Sequence, residues 1–295
     1  MYNQHRNLLF TEYNRAKNYF YQNPNKLIFL EEFIRNAVKN VIEVNKDEII
    51  RDYNEASFLQ PFWGNYPPED RGRQPVGDQI PWIEVGEHSV GHKISRLLSS
   101  QFSIREVGLP SGSDDRYVLT DSIIGELSDF TNSVMLFIDV KSVGPRDDAE
   151  HIVVSPYQVS GDGIWNCVNE KLQNSPMRAT GARASHDFFP AVSPIYILSD
   201  GTICPTIHIF IKPVYKMMNQ QNPTRSGQPL SKIRIITVPN GLLLTLNPNY
   251  LRSNPTLIFP GKDDKGKDPK KLRCRVSFDI LNRINAWRVS TINCE

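Results

Sequence analysis

The chain has 295 residues, 39% of them hydrophobic and 22% charged, with a formal net charge of +2. These values fit a globular chain and exclude a polycation, so any contact with nucleic acid must use basic residues concentrated locally. No apolar run approaches the ~20 residues that span a bilayer, and Met1–Arg6 contains no hydrophobic signal segment, so the expectation is no membrane partner and a cytoplasmic location.

Apolar residues recur at helical spacing from Lys26 to about Val44, at Leu27, Leu30, Ile34, Val38, Val41 and Ile42, and Asn23-Pro24-Asn25 supplies a start signal. An amphipathic helix packed on a core is expected there, and a shorter one over 89–99. Between them, Gln60 to Pro75 is dense in proline and glycine, with Phe62, Trp63, Tyr66, Arg71 and Arg73 interleaved. This predicts an irregular segment, either a binding loop or a surface loop pinned by its aromatics. Strands are expected over 134–141, over 194–199 and 202–213 around the turn Asp200-Gly201, and over 273–280. A second hairpin is predicted over 232–238 and 242–246, around Pro239-Asn240-Gly241. The four cysteines, Cys167, Cys204, Cys274 and Cys294, form no CxxC pair, which argues against a zinc ribbon. Helices mostly first and strands mostly after predict a mixed α/β fold: a central mixed β-sheet flanked by helices, in one domain over 1–295.

Asp139-Val140-Lys141 ends an apolar strand. Alternation places Asp139 and Lys141 on one face and Val140 on the other. Two charges at the end of a buried strand are costly unless paired, hydrated or bound to metal. A carboxylate and a lysine on one face can hold a hard metal ion and stabilise an attacking water and a phosphate. A second carboxylate is needed, and Asp114 lies one hairpin upstream. This is the PD-(D/E)xK nuclease pattern, lacking its proline because Ser113 precedes Asp114. The same triplet also fits a salt bridge at a strand end.

The segment from Gly261 to Arg275 carries Lys262, Lys265, Lys267, Lys270, Lys271, Arg273 and Arg275 against Asp263, Asp264 and Asp268. It is the locally basic stretch the composition requires, although a solvated loop has the same composition. On a strand, Arg273 and Arg275 share one face, a spacing suited to neighbouring guanines, and an aspartate among them suits a cytosine amino group. Glu87-His88-Ser89-Val90-Gly91-His92 has histidines at helical spacing but lacks the internal glutamate of a zinc protease, and Glu87 is a candidate third carboxylate. The polar stretch from Asn174 to Pro190, with Arg178 and Arg183, is either a phosphate contact or a loop.

Longer stretches carry a resemblance. They are Asp52-Tyr53-Asn54-Glu55-Ala56, Pro61-Phe62-Trp63, Asp70-Arg71-Gly72, 77–87 (Gly77 through Glu87), 139–147 (Asp139 through Asp147), 197–203 (Ile197 through Ile203) and Pro260-Gly261-Lys262-Asp263-Asp264. With these the chain resembles the BglI family of type II restriction endonucleases nearly end to end. The resemblance implies a restriction-endonuclease-like fold and a homodimer on double-stranded DNA. It implies Mg²⁺-dependent cleavage within the interrupted palindrome GCCNNNNNGGC, leaving 3′ overhangs. It makes Asp114, Asp139 and Lys141 catalytic, with Asp114, Asp139 and the Val140 carbonyl on metal. Arg73, Asp147, Lys262, Asp264, Arg273 and Arg275 match the family's base-reading positions, Arg73 replacing a lysine. A partner DNA methyltransferase is expected in the same system. A target half-site made only of G·C pairs agrees with arginine, lysine and aspartate as its readers.

Overall fold

The computed structural model describes residues 2–58, 90–108, 115–144, 148–166, 171–216, 229–261 and 268–295. Three helices open it: α1 (Tyr2–Gln22), α2 (Pro24–Val44) and α3 (Lys46–Phe58). In α2 the predicted stripe is buried, and Pro24 occupies the first turn, where a missing N–H costs nothing. The stripe also buries Glu31 and Arg35. The sequence pattern did not single out α1 or α3. Few of their residues, among them Ala16, Phe20, Ile49 and Tyr53, reach the core, and so no long apolar stripe marks them. The helix expected over 89–99 occupies His92–Leu98. Just before it, Gly91 lies against β3: a Cβ there would stand 3.0 Å from Val140 Cγ2, so the close approach favours glycine.

The strands follow in order: β1 (Ser103–Glu106), β2 (Asp115–Thr120), β3 (Ser133–Val140), β4 (His151–Val154), β5 (Ile164–Asn166), β6 (Lys171–Gln173), β7 (Met177–Thr180), β8 (Ser185–Phe188), β9 (Ile195–Ile197), β10 (Ile203–Tyr215), β11 (Leu230–Val238), β12 (Ile258–Pro260), β13 (Cys274–Ser277) and β14 (Val289–Asn293). The central sheet runs β1-β2-β3-β10-β11-β14, with β9 also on β10. It is mixed, as predicted: β3 and β10 are parallel, while the other pairs are antiparallel. A small sheet, β12-β13-β4, stands apart from it.

Strand alternation divides the core. Leu136, Ile138, Ile207, Ile209, Ile211, Ile233 and Ile235 pack with the stripe of α2 on one face of the central sheet. On the other, Phe210 and Ile236 pack with Ile152, Val154, Cys274 and Val276 of the small sheet. Burial of this kind contributes about 25 cal/mol per Å² of apolar surface, and it fixes the register, since a slip of one residue would turn Asp139 into the helical core.

The hairpin around Asp200-Gly201 forms as predicted, with Ile203 opposite Ile197 and Gly201 at φ +85°. The hairpin expected around Asn240-Gly241 does not form. Asn240 caps a short helix, Gly241–Thr245, accepting from the Leu242 N–H at 2.9 Å, so 242–246 is not a strand. The strand expected over 273–280 is also shorter. Ser277 caps the helix Phe278–Ile284 and turns the chain out of the sheet. Among the described residues Cys204 and Cys294 are free thiols, and no helix is long and apolar enough to cross a membrane.

Candidate active site

Asp139 and Lys141 project from the same face of the central sheet, as alternation predicted. Parallel pairing sets Asp139 beside Phe210 of β10, and the Lys141 N–H donates to the Ile211 carbonyl at 2.8 Å, which holds the strand end in line. Lys141 Nζ lies 2.5 Å from Asp139 Oδ2, and 5.8 Å from the centre of the Phe210 ring. The side chains are 24% and 14% exposed, so the pair is shielded but reachable. The other carboxylate oxygen, Oδ1, accepts from Gln158 Nε2 at 2.9 Å. Oδ2 is buried and, beyond the ammonium's approach, takes no hydrogen bond among the described residues. A carboxylate at this half-buried strand end, with oxygen lone pairs beyond these two contacts, suits a hard, oxygen-seeking cation. Among the described residues no group of three histidine, cysteine or acidic side chains forms a metal cage.

β2 enters the site from the other side. Asp115 is registered opposite Ile138, the residue before Asp139. Asp114, one peptide bond earlier, lies outside the described residues, as do Glu87, Arg73, Asp147, Lys262 and Asp264, and the whole of 60–75. Of the two histidines at helical spacing, His88 also lies outside them, and the backbone of His92 opens the helix His92–Leu98.

Beyond Lys141 the same face carries two more cations side by side, Lys212 opposite Arg234. Adjacent like charges repel, so they need anions. Asp148 and Glu150 supply them. Arg234 donates to both Glu150 oxygens, at 2.9 and 2.8 Å, and its Nε stands 3.2 Å from Asp148. Lys232 Nζ meets Asp148 at 2.5 Å. Burial pushes the Asp148 carboxyl up, but Lys232, Arg234 and Lys212 outweigh it and hold it below the usual carboxylate range. Lys212 Nζ also donates to the carbonyls of Ala149 and His151, at 3.1 and 3.4 Å. This network fixes residues 148–151, where the chain enters β4. Burial, with Arg275 and Lys212 nearby, brings His151 down to about 4, so it is neutral at physiological pH. No sequence pattern pointed to Gln158, Asp148, Lys212 or Arg234. Their contacts join residues distant along the chain.

The small sheet presents Arg275. It lies on β13, opposite Phe259 on one side and Val153 of β4 on the other, alternating with the buried Cys274 and Val276. Nη1 donates to the Pro260 carbonyl at 3.3 Å, and Nε is buried without a hydrogen bond among the described residues. Arg273 is exposed just ahead of the strand rather than on it. The polar stretch after Asn174 is a hairpin of β7 and β8, in which the exposed Arg178 pairs with Asp187 at 3.0 Å.

The family model for restriction endonuclease BglI matches residues 8–292. The type II restriction enzyme BglI of Bacillus subtilis is 48% identical over 300 aligned residues, which cover 100% of both chains. The crystal structure of restriction endonuclease BglI bound to its DNA recognition sequence superposes with a TM-score of 0.91, at 48% identity and with 100% of each chain covered. The tetrameric restriction endonuclease SfiI, solved with cognate DNA, matches at a TM-score of 0.57 and 13% identity, over 91% of this chain and 85% of its own, a likeness of fold alone. The mixed sheet flanked by helices, the Asp139–Lys141 pair at its parallel strand end and this full-length similarity agree: the chain belongs to the BglI family of restriction endonucleases.

Proposed function

We propose that the protein cuts double-stranded DNA at the interrupted palindrome GCCNNNNNGGC, as a homodimer with one active site per strand, using Mg²⁺. The observation that carries the reading is Asp139 with its two oxygens held apart, one by Gln158 Nε2 and one by Lys141 Nζ, at the half-buried end of an otherwise buried strand. Asp139, the Val140 carbonyl and Asp114 are the residues that hold the metal. Bound there, Mg²⁺ supplies positive charge against the scissile phosphate and a more acidic water. Lys141 places its ammonium beside the carboxylate, where it orients the attacking water and offsets the charge that builds on the phosphate. Water oxygen attacks phosphorus in line, the bond to O3′ breaks, and the products are a 5′-phosphate and a 3′-hydroxyl, with 3′ overhangs.

Specificity is assigned to Arg275 and Arg273 with Lys262, Asp264, Asp147 and Arg73. Guanine edges offer paired acceptors to arginine and lysine, and cytosine offers an amino donor to aspartate. A two-fold target calls for a two-fold dimer, with the whole chain acting as a single domain. A cytoplasmic location and a partner methyltransferase protecting the same site complete the reading. Plasmid DNA incubated with protein and Mg²⁺ is expected to give discrete bands, and run-off sequencing of the ends is expected to place both cuts inside the spacer. Discrete bands with another flanking sequence would mean the same chemistry with different readers. No cleavage at all would leave a DNA-binding protein in which Asp139 and Lys141 form a structural pair.

A further inference from the structure

Gln158 ends the short 3₁₀ turn Pro156–Gln158 that follows β4. The residue is 7% exposed. Its two amide ends have different partners, and these fix its orientation. Oε1 accepts from the Ser155 backbone N–H at 2.9 Å, and the Ser155 hydroxyl oxygen accepts in turn from the Gln158 backbone N–H, closing a capping box. A backbone N–H only donates, so Oε1 must face it. The amide nitrogen therefore faces Asp139 Oδ1, at 2.9 Å.

We propose that Gln158 is a positioning residue for the metal-binding carboxylate: its amide holds Asp139 Oδ1 so that the side chain does not rotate and give both oxygens to Lys141. The proposal rests on the nuclease reading above. A neutral donor is suited to this task. A second cation would compete with the metal for the carboxylate, whereas an amide occupies one lone pair and leaves the charge unchanged. The turn is suited as well. β4 pairs with β13, which carries Arg275 opposite Val153, and Gln158 follows Val153 by one short stretch of chain. The amide that steadies Asp139 thus hangs from the same sheet that presents a base-reading arginine.

The test compares Gln158→Met, which removes the amide at similar volume, with Ser155→Ala, which weakens the turn but keeps the amide. Two quantities are measured: Mn²⁺ binding to the protein without DNA, by electron paramagnetic resonance titration, and the Mg²⁺ concentration giving half-maximal cleavage. The Mn²⁺ dissociation constant and the half-maximal Mg²⁺ concentration are both expected to rise about 10- to 100-fold in Gln158→Met, the range for lost partners of metal ligands, and to stay near the wild-type value in Ser155→Ala. Should Gln158→Met fail to fold, Gln158→Asn keeps the amide but not its reach, and the same loss is expected. Unchanged metal dependence in the Gln158 variants overturns the proposal while leaving the nuclease reading intact. Equal losses in Gln158→Met and Ser155→Ala overturn it too, because the turn rather than the amide would then be responsible. A wild-type protein that neither binds Mn²⁺ nor cuts DNA refutes the nuclease reading, and the proposal falls with it.

Discussion

Replacing Glu31 by alanine is expected to destabilise the fold by about 4–6 kcal/mol. Glu31 sits on the buried face of α2, with a side chain 1% exposed, against Arg288 at 0%. Its Oε2 accepts from Arg288 Nη2 at 2.8 Å, and its Oε1 from the Asn240 N–H at 2.6 Å. Removing one partner of a buried pair costs roughly 3–5 kcal/mol, because the other charge stays buried. The orphaned Asn240 N–H adds about 1–3 kcal/mol. The two terms share one network and do not add fully. Arg288 also keeps Asn285 at 3.1 Å and the Trp287 ring at 4.5 Å, which limits the loss. The effect reaches the parallel pair of β3 and β10, because Asn240 Nδ2 donates to the Thr206 carbonyl at 2.9 Å and Thr206 is paired with Met135 of β3. Equilibrium urea unfolding measures the change. The double variant Glu31→Leu with Arg288→Met is expected to recover much of the loss, since an apolar pair of similar size removes the stranded charge. A single-variant loss under ~1 kcal/mol, or a double variant as weak as the two single losses summed, would mean that no stranded buried charge underlies the loss.

Three further outcomes are expected. Burial lowers His208 to about 3, and neither ring nitrogen has a hydrogen bond among the described residues. The unfolded chain, with the ordinary histidine value of ~6.5, takes the proton first as pH falls. This contribution is therefore complete above ~6.5 and is lost on the way to ~3, on the order of 5 kcal/mol, and His208→Leu should flatten that limb of a stability–pH curve. An unaltered slope would contradict it. Asp148→Asn should cost about 3 kcal/mol in urea unfolding, since Lys232 and Arg234 lose their shared, nearly buried anion. A neutral result would mean that Glu150 alone balances the row. Arg275→Ala should relax discrimination at one G·C pair by about 1–3 kcal/mol, read from cleavage rates on substrates changed one base pair at a time. Uniform weakening on every substrate would make it a phosphate contact.

The legible parts of the fold were those with a local cause. The α2 stripe and the apolar run of β3 each bury a periodic face, and Gly201 supplies the left-handed turn residue that its hairpin needs. Errors arose where one residue type serves two structures. Asn240 before a glycine suits a hairpin, yet its side-chain oxygen caps a helix equally well, and the three leucines that follow are buried either way. Ser277 likewise ended a strand whose alternation ran on into an amphipathic helix. At the site, alternation alone placed Asp139 and Lys141 together. Gln158 reaches Asp139 across 19 residues, and Lys212 and Arg234 sit within apolar strands whose pattern masks them. Long-range polar contacts have no period, so only the folded chain brings them together.

On the proposed reading Asp139 and Lys141 perform phosphodiester chemistry and are more than a strand-end ion pair. The most direct test is cleavage of a plasmid bearing GCCNNNNNGGC by Asp139→Asn and Lys141→Ala, with binding to the same site followed by mobility shift. Each variant is expected to cut at least about 10²-fold more slowly while still selecting its sequence. Undiminished cutting by either variant would contradict it.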